Sequence, residues 1–176
     1  IIRQYVMGNS AFGTDLSPQE VTAIVNQLMM STADIVMNKN GLPYAVRKQG
    51  AGLVNIANAY QSAAYITSYD RNGQKMDKAK LELGDDKQKT GVYEMTFDIN
   101  NISGSAVTYN VDATVITEGV SSTYTSHSDT TVTMDGYELS GAVTEVTNIS
   151  GGTNSGNAVT VNAGGTATVT VRICHA

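Results

Sequence analysis

The chain has 176 residues, enough for one ordinary domain or for a small domain with an extension. A 41% hydrophobic and 15% charged composition excludes a disordered chain, and no apolar run approaches the ~20 residues of a membrane helix. The net charge of -5, without any Lys/Arg cluster, excludes a nucleic-acid footprint and a polybasic membrane patch.

Ile1-Ile2-Arg3-Gln4 does not resemble the start of a reading frame. The chain is therefore expected to begin inside a longer protein, with any targeting signal upstream. Ile1 to Met7 reads as the tail of a helix, ended by Gly8-Asn9-Ser10. Ser17-Pro18-Gln19-Glu20 is a capping box with Pro at the first helical position. Val21, Ile24, Val25 and Leu28 then share one face, which predicts a helix over about 18–31. Asn38 to Pro43 is turn chemistry. A second amphipathic stretch runs from Leu53 to about Ala64, and Tyr65 to Gln74 reads as a linker.

Strand composition follows. Period-two alternation runs through Leu81 and Leu83, Tyr93 to Ile99, Val107 to Val115, and Ala167 to Ile173. Asn100 to Gly104 and Ala163-Gly164-Gly165 supply turns. Several such strands at short spacing predict a β-sandwich. Residues 118–158 suit an edge hairpin and a long loop, with Gly151 to Gly156 expected to be the most mobile piece.

Few residues suggest chemistry. Cys174 is the one cysteine, and His127 and His175 are the two histidines, too few for a zinc site. His127 near Asp129 lacks a marked nucleophile, so an exposed His is the better reading. Cys174 beside His175 offers only two ligands at a chain terminus. Gly50-Ala51-Gly52 lacks the Lys of a P-loop and the third Gly of a dinucleotide fingerprint. It reads instead as a place where backbones approach closely, with Asn55 capping or bracing the next helix. Asp70 and Asp85-Asp86 read as turn carboxylates, because no spaced calcium loop surrounds them. Asn101-Ile102-Ser103 and Asn148-Ile149-Ser150 are formal sequons, read as turns. No catalytic, cofactor-binding or metal residue is assigned.

Two stretches resemble segments of subtilisin-like serine proteases. Leu28-Met29-Met30-Ser31-Thr32-Ala33 is similar to a segment after the nucleophile helix, and Arg47 to Asn55 to the "RQGAGLVN" segment that follows it. Ile1 to Tyr5 fits the end of the helix carrying the nucleophilic serine. Phe97 to Asn101, Val107 to Val111 and Gly164 to Val171 resemble the fibronectin-III-like domain of cell-envelope proteinases of the lactocepin type. The resemblance implies an α+β chain in two parts. Residues 1–70 would be the C-terminal helical segment of a subtilisin-like catalytic domain, and 76–176 a fibronectin-III-like β-sandwich. The family usually continues with further strands, which leaves the completeness of the sandwich open.

The family's Gly-Thr-Ser-Met nucleophile motif would lie just upstream of Ile1, and its Asp, His and oxyanion-hole Asn further upstream. A chain without a Ser-His-Asp set is expected to be inactive alone. The resemblance also implies a secreted or cell-wall-associated bacterial protein. Its partners would be the rest of the parent protease domain and the parent's protein substrates. No cofactor is expected, and calcium stays open for the parent alone. Ile1, Ile2, Tyr5, Val6, Val21, Ile24 and Leu28 would face a missing sheet and pack onto the sandwich or onto a second copy, giving a homo-oligomer through exposed apolar helices. The rival reading is an adhesin-like module binding a host protein or glycan through 118–158. An aromatic content of 6% and the lack of Trp weaken a sugar-stacking platform.

Overall fold

The computed structural model describes residues 1–70, 72–121 and 131–174, with the backbone alone at 118–121 and 131–135. Helices come first: α1 (Ile2–Gly8), a 3-10 turn (Ser10–Phe12), α2 (Pro18–Ser31), α3 (Val46–Gln49) and α4 (Ile56–Gln61). Nine strands follow among the described residues. These are β1 (Ala64–Ser68), β2 (Val92–Asn101), β3 (Val107–Asn110), β4 (Ile116–Ser121), β5 (Thr131–Glu138), β6 (Val143–Ser150), β7 (Gly152–Ser155), β8 (Ala158–Val161) and β9 (Thr166–Cys174).

The capping box sets the start of α2. The Glu20 amide donates to Ser17 Oγ at 3.3 Å, and the Ser17 amide donates to Glu20 Oε2 at 2.8 Å. Two orphan donors of the first turn are thereby satisfied. The apolar face of α2 turns Val21, Ile24 and Leu28 into a core with Ile2, Val6, Phe12, Ala59 and Tyr65. An aromatic row crosses this core. Tyr60 meets Tyr5 at 4.7 Å between ring centroids, Tyr5 meets Phe12 edge-on at 5.4 Å, and Phe12 meets Tyr65 at 5.8 Å. These spacings suit offset and edge-to-face contacts.

Of the two coverings expected for these apolar helices, the sandwich or a second copy, the chain itself supplies the first, through Tyr65 of β1. Ile2, Val6, Val21, Ile24 and Leu28 are buried within the chain, Tyr5 packs against them, and Ile1 alone of the seven stays open, at 82% exposure. The sheet they needed is supplied by β1. The residues expected as a linker from Tyr65 begin inside this strand, which pairs antiparallel with β2 from Ala64↔Asn101 to Ser68↔Phe97. The helix expected from Leu53 to Ala64 contracts to α4, because Leu53 bridges back to Asp34 and Ala64 already belongs to β1.

The sandwich has one four-stranded sheet, β1-β2-β9-β6, and one three-stranded sheet, β3-β8-β7. A two-stranded ribbon, β4-β5, stands beside them with a bulge near Glu118 to Val120. Between the sheets lie Ile99, Val159, Val161, Ala167, Val169, Val171 and Ile173, with Ala64 from β1. The strict alternation along β9 gives its odd-numbered residues to this core, as period two requires. β1 serves two cores at once: Ala64 and Ile66 face the sandwich, whereas Tyr65 faces the helices.

Three further expectations change. The alternation of 107–115 yields a strand only over β3, and 111–115 is irregular although Val111, Ala113 and Val115 still pack on the core. Gly151 to Gly156, expected as mobile, forms the crossing from one sheet to the other followed by β7, which pairs with β8. A Cβ at Gly151 would stand 2.3 Å from the Thr166 carbonyl oxygen, and its φ is +74°, so only glycine allows this corner. Leu81 and Leu83, expected in a strand, lie in a run that belongs to no strand and pairs with none among the described residues.

Candidate functional site

The residues weighed for chemistry mostly resolve into supports. Gly52 has φ +120°, and a Cβ there would meet the Asp34 carbonyl oxygen at 2.3 Å, so close backbone approach explains the Gly50-Ala51-Gly52 run. Asn55 caps α4 by accepting the Asn58 amide at 3.0 Å, and its Nδ2 donates to Asp34 Oδ2 at 2.8 Å. Asn58 Nδ2 donates to Asp34 Oδ1 at 2.9 Å. Asp34 is thus a clasp between two loops.

Asp70 accepts the Asn72 and Gln74 amides, each at 2.8 Å. Asp86 accepts the Gly91 amide at 2.8 Å and the Thr90 hydroxyl at 3.1 Å. These donors, the backbone groups of Thr90 and Gly91 foremost, hold the Asp86 carboxyl below its usual range. Both aspartates therefore close turns, and among the described residues no three His, Cys, Asp or Glu side chains gather as a metal site. Cys174 is half-buried with a free thiol. His127, Asp129 and His175 lie outside the described residues.

The first sequon opens the turn expected of it, with the Ser103 amide donating to Asn101 Oδ1 at 2.8 Å, whereas the second is not a turn. Asn101 closes β2 as a buried side chain, and its Nδ2 donates to the carbonyls of Ser105, Val161 and Asn162. A glycan there would break all three bonds. Asn148 lies within β6.

Sequence reasoning missed the polar row between the four-stranded sheet and the helices. Asp98 is buried on β2, accepts Thr168 Oγ1 at 2.7 Å, and accepts the hydroxyl of Tyr69. The hydrogen bond to Asp98 pushes the Tyr69 phenol up to about 12, with burial and the same negative charge adding to it. Beside it, Asn100 Nδ2 donates to Thr67 Oγ1 at 2.9 Å and to the Tyr65 carbonyl at 3.2 Å. The alternation of Phe97 and Ile99 with Asp98 and Asn100 was the available signal, but it reads as a solvated face unless the helices above it are known.

Among the described residues, two surfaces stand out as open to a partner. The first is apolar and lies on the helical side. Ile35, Val46, Leu53 and Val54 are 57%, 67%, 66% and 51% exposed. A groove between the Pro43–Ala51 segment and residues 112–117 runs beside Ile35 and Val46. The second is a groove of about 500 Å³ between the start of β2 and the run 81–86, lined among the described residues by the carboxylates of Asp70, Glu82, Asp85, Asp86 and Glu94.

None of these arrangements assembles a nucleophile with a base. The geometry defines a β-sandwich module with a helical layer on the outer face of one sheet. A match to the Fn3-like domain family covers residues 81–175, more than half of the chain. The chain belongs to that family. No curated protein matches it.

Proposed function

We propose that the chain is a non-catalytic piece of a secreted or cell-wall-associated subtilisin-like serine endopeptidase. Residues 1–70 are then the end of the catalytic domain, and the Fn3-like sandwich holds that domain and contacts protein substrates. The observation that carries this reading is the apolar surface of the helical segment. Ile35, Val46, Leu53 and Val54 lie in or beside the stretches that resemble the protease, and all four are more than half exposed. Large apolar side chains left open to water favour association. The occupant proposed for it is the remainder of the catalytic domain, whose segments would lie against these residues in one continuous core.

The test is to determine the coding sequence upstream of Ile1 and to express the longer protein. A Gly-Thr-Ser-Met motif shortly before Ile1, endopeptidase activity in the longer protein, and loss of dye binding to the apolar surface are expected. An upstream region with no such motif and no activity overturns the reading.

A further inference from the structure

The joint between the helical part and the residues matched to the Fn3-like family is short, polar and rich in lysine. Gln74-Lys75-Met76-Asp77-Lys78-Ala79-Lys80 ends where the match begins, at residue 81. Such a composition reads as a solvated linker, the kind of segment where proteases cut. Lys75, Lys78 and Lys80 are exposed, yet the backbone between them is bound.

Two buried side chains hold it. Gln27, among the core-facing residues of α2, is 2% exposed, and its Nε2 donates to the Met76 carbonyl at 2.7 Å. A buried amide is costly unless it is bonded, so this contact accounts for a glutamine at a core position. Ser68, the last residue of β1, is 1% exposed. Its Oγ lies 2.6 Å from the Lys78 carbonyl oxygen and 2.7 Å from that of Lys80, so its one proton serves either, and it accepts the Lys80 amide at 3.2 Å. The Met76 amide donates to the Ser68 carbonyl at 2.9 Å. Behind Gln27, Ser31 Oγ donates to the Gln27 carbonyl and accepts the Ile66 amide of β1 at 2.9 Å. The end of α2, the outer edge of β1 and the joint are thereby one hydrogen-bonded run.

We propose that residues 75–80 are a shielded cleavage site for a lysine-specific endopeptidase, closed by Gln27 and Ser68. The carbonyls of Met76, Lys78 and Lys80 are all held by buried side chains. A protease needs that backbone free in its cleft, so cutting waits for the joint to open. A cut there has a defined result. Water adds across the peptide bond after Lys75, Lys78 or Lys80, giving a new carboxylate and a new amine, and the chain becomes two pieces. β1 stays on the first piece and β2 on the second. Their pairing from Ala64↔Asn101 to Ser68↔Phe97 then carries a tie that was covalent before. The closure is internal to this chain and independent of the protease reading.

Timed digestion of the full chain with trypsin, read by mass, tests the shield. The unaltered chain is expected to be cut in the joint about tenfold more slowly than Gln27→Met, which keeps the side-chain length but loses the donor, and than Ser68→Ala. Cleavage after Lys39, an exposed lysine outside the joint, should be equal in all three proteins. Joint cutting that differs by less than about threefold among them overturns the proposal. A joint that speeds up only in step with Lys39 overturns it too, since the variants would then loosen the whole fold. Should a variant fail to fold, amide hydrogen exchange of the unaltered chain decides. Met76 and Lys80 amides exchanging within about tenfold of the Ile66 amide is the result expected of one closed unit. Exchange there more than about tenfold faster overturns the shield.

Discussion

The hydroxyl of Ser31, in the last turn of α2, accepts the Ile66 amide of β1 at 2.9 Å while donating to the Gln27 carbonyl of its own helix. One side chain thus satisfies a helix carbonyl and a sheet edge. It also fixes the height of α2 over the strand, which explains why a serine ends this helix.

Replacing Ser31 with Ala should therefore cost more than a surface substitution. The Ile66 amide loses its acceptor in a half-buried place, a loss of about 1–3 kcal/mol. Thermal unfolding should shift down by several degrees, at about 2–4 °C per kcal/mol for a chain of this size. Far-UV circular dichroism should show the helices intact below the transition. An unchanged midpoint would mean that water replaces the hydroxyl fully.

Asn157 makes a parallel case on the other edge. Asn157→Ala leaves the Thr144 carbonyl and Val146 amide of β6 without partners. Faster hydrogen exchange at Val146 is expected, with a loss of about 1 kcal/mol in urea titration. Concentration-dependent association should rise, since an uncovered edge accepts foreign strands.

Gly52→Ala tests the close approach between two loops. The added methyl carbon would lie 2.3 Å from the Asp34 carbonyl oxygen, at a φ of +120° that L-residues rarely adopt. Steric overlap and backbone strain together should destabilise by more than about 2 kcal/mol. The Asp34–Asn55 and Asp34–Asn58 contacts should be lost with it, read as chemical-shift changes at both asparagine side chains. Gly50→Ala has open space around its Cβ and should cost less, through its φ of +62° alone.

Tyr69 predicts a pH dependence whose sign is set by its neighbour. Its phenol is held up to about 12 in the folded chain by the hydrogen bond to Asp98, against about 10 when unfolded. The folded state therefore keeps a proton that the unfolded state gives up. This contribution is fully present below pH about 10 and is lost as pH rises through about 12. Absorbance titration should show Tyr69 ionising late, alongside Tyr65 and Tyr109, whose phenols burial also pushes up, and Asp98→Asn should bring the Tyr69 step down. Identical titration curves for the two proteins would separate Tyr69 from Asp98.

Much of the fold is legible wherever one local rule acts alone. Ser17-Pro18-Gln19-Glu20 marks the start of α2 because capping involves only neighbours in sequence, and the β9 alternation is plain because one of its faces lies on the core and the other does not. β1 is illegible for the opposite reason. Ala64-Tyr65-Ile66-Thr67-Ser68 has one apolar face turned to each of two cores, so it shows neither alternation nor a long apolar run. Leu81 and Leu83 carry the pattern of a strand without a partner in place, which periodicity alone cannot reveal. Asp98 and Thr168 meet across 70 residues of sequence, and nothing local announces that contact.

The double allegiance of β1 governs how the molecule comes apart. Peeling β1 from β2 removes Ala64 from the sandwich core and Tyr65 from the helical core in the same event. The helical layer and the sandwich are then expected to melt in one transition. A shortened version beginning at the family match, residue 81, would give up this strand. It would leave β2 bare along its whole length, and aggregation is its expected fate. Any shorter form meant to stay in solution has to begin before Ser62, whose hydroxyl seals the first rung of the sheet.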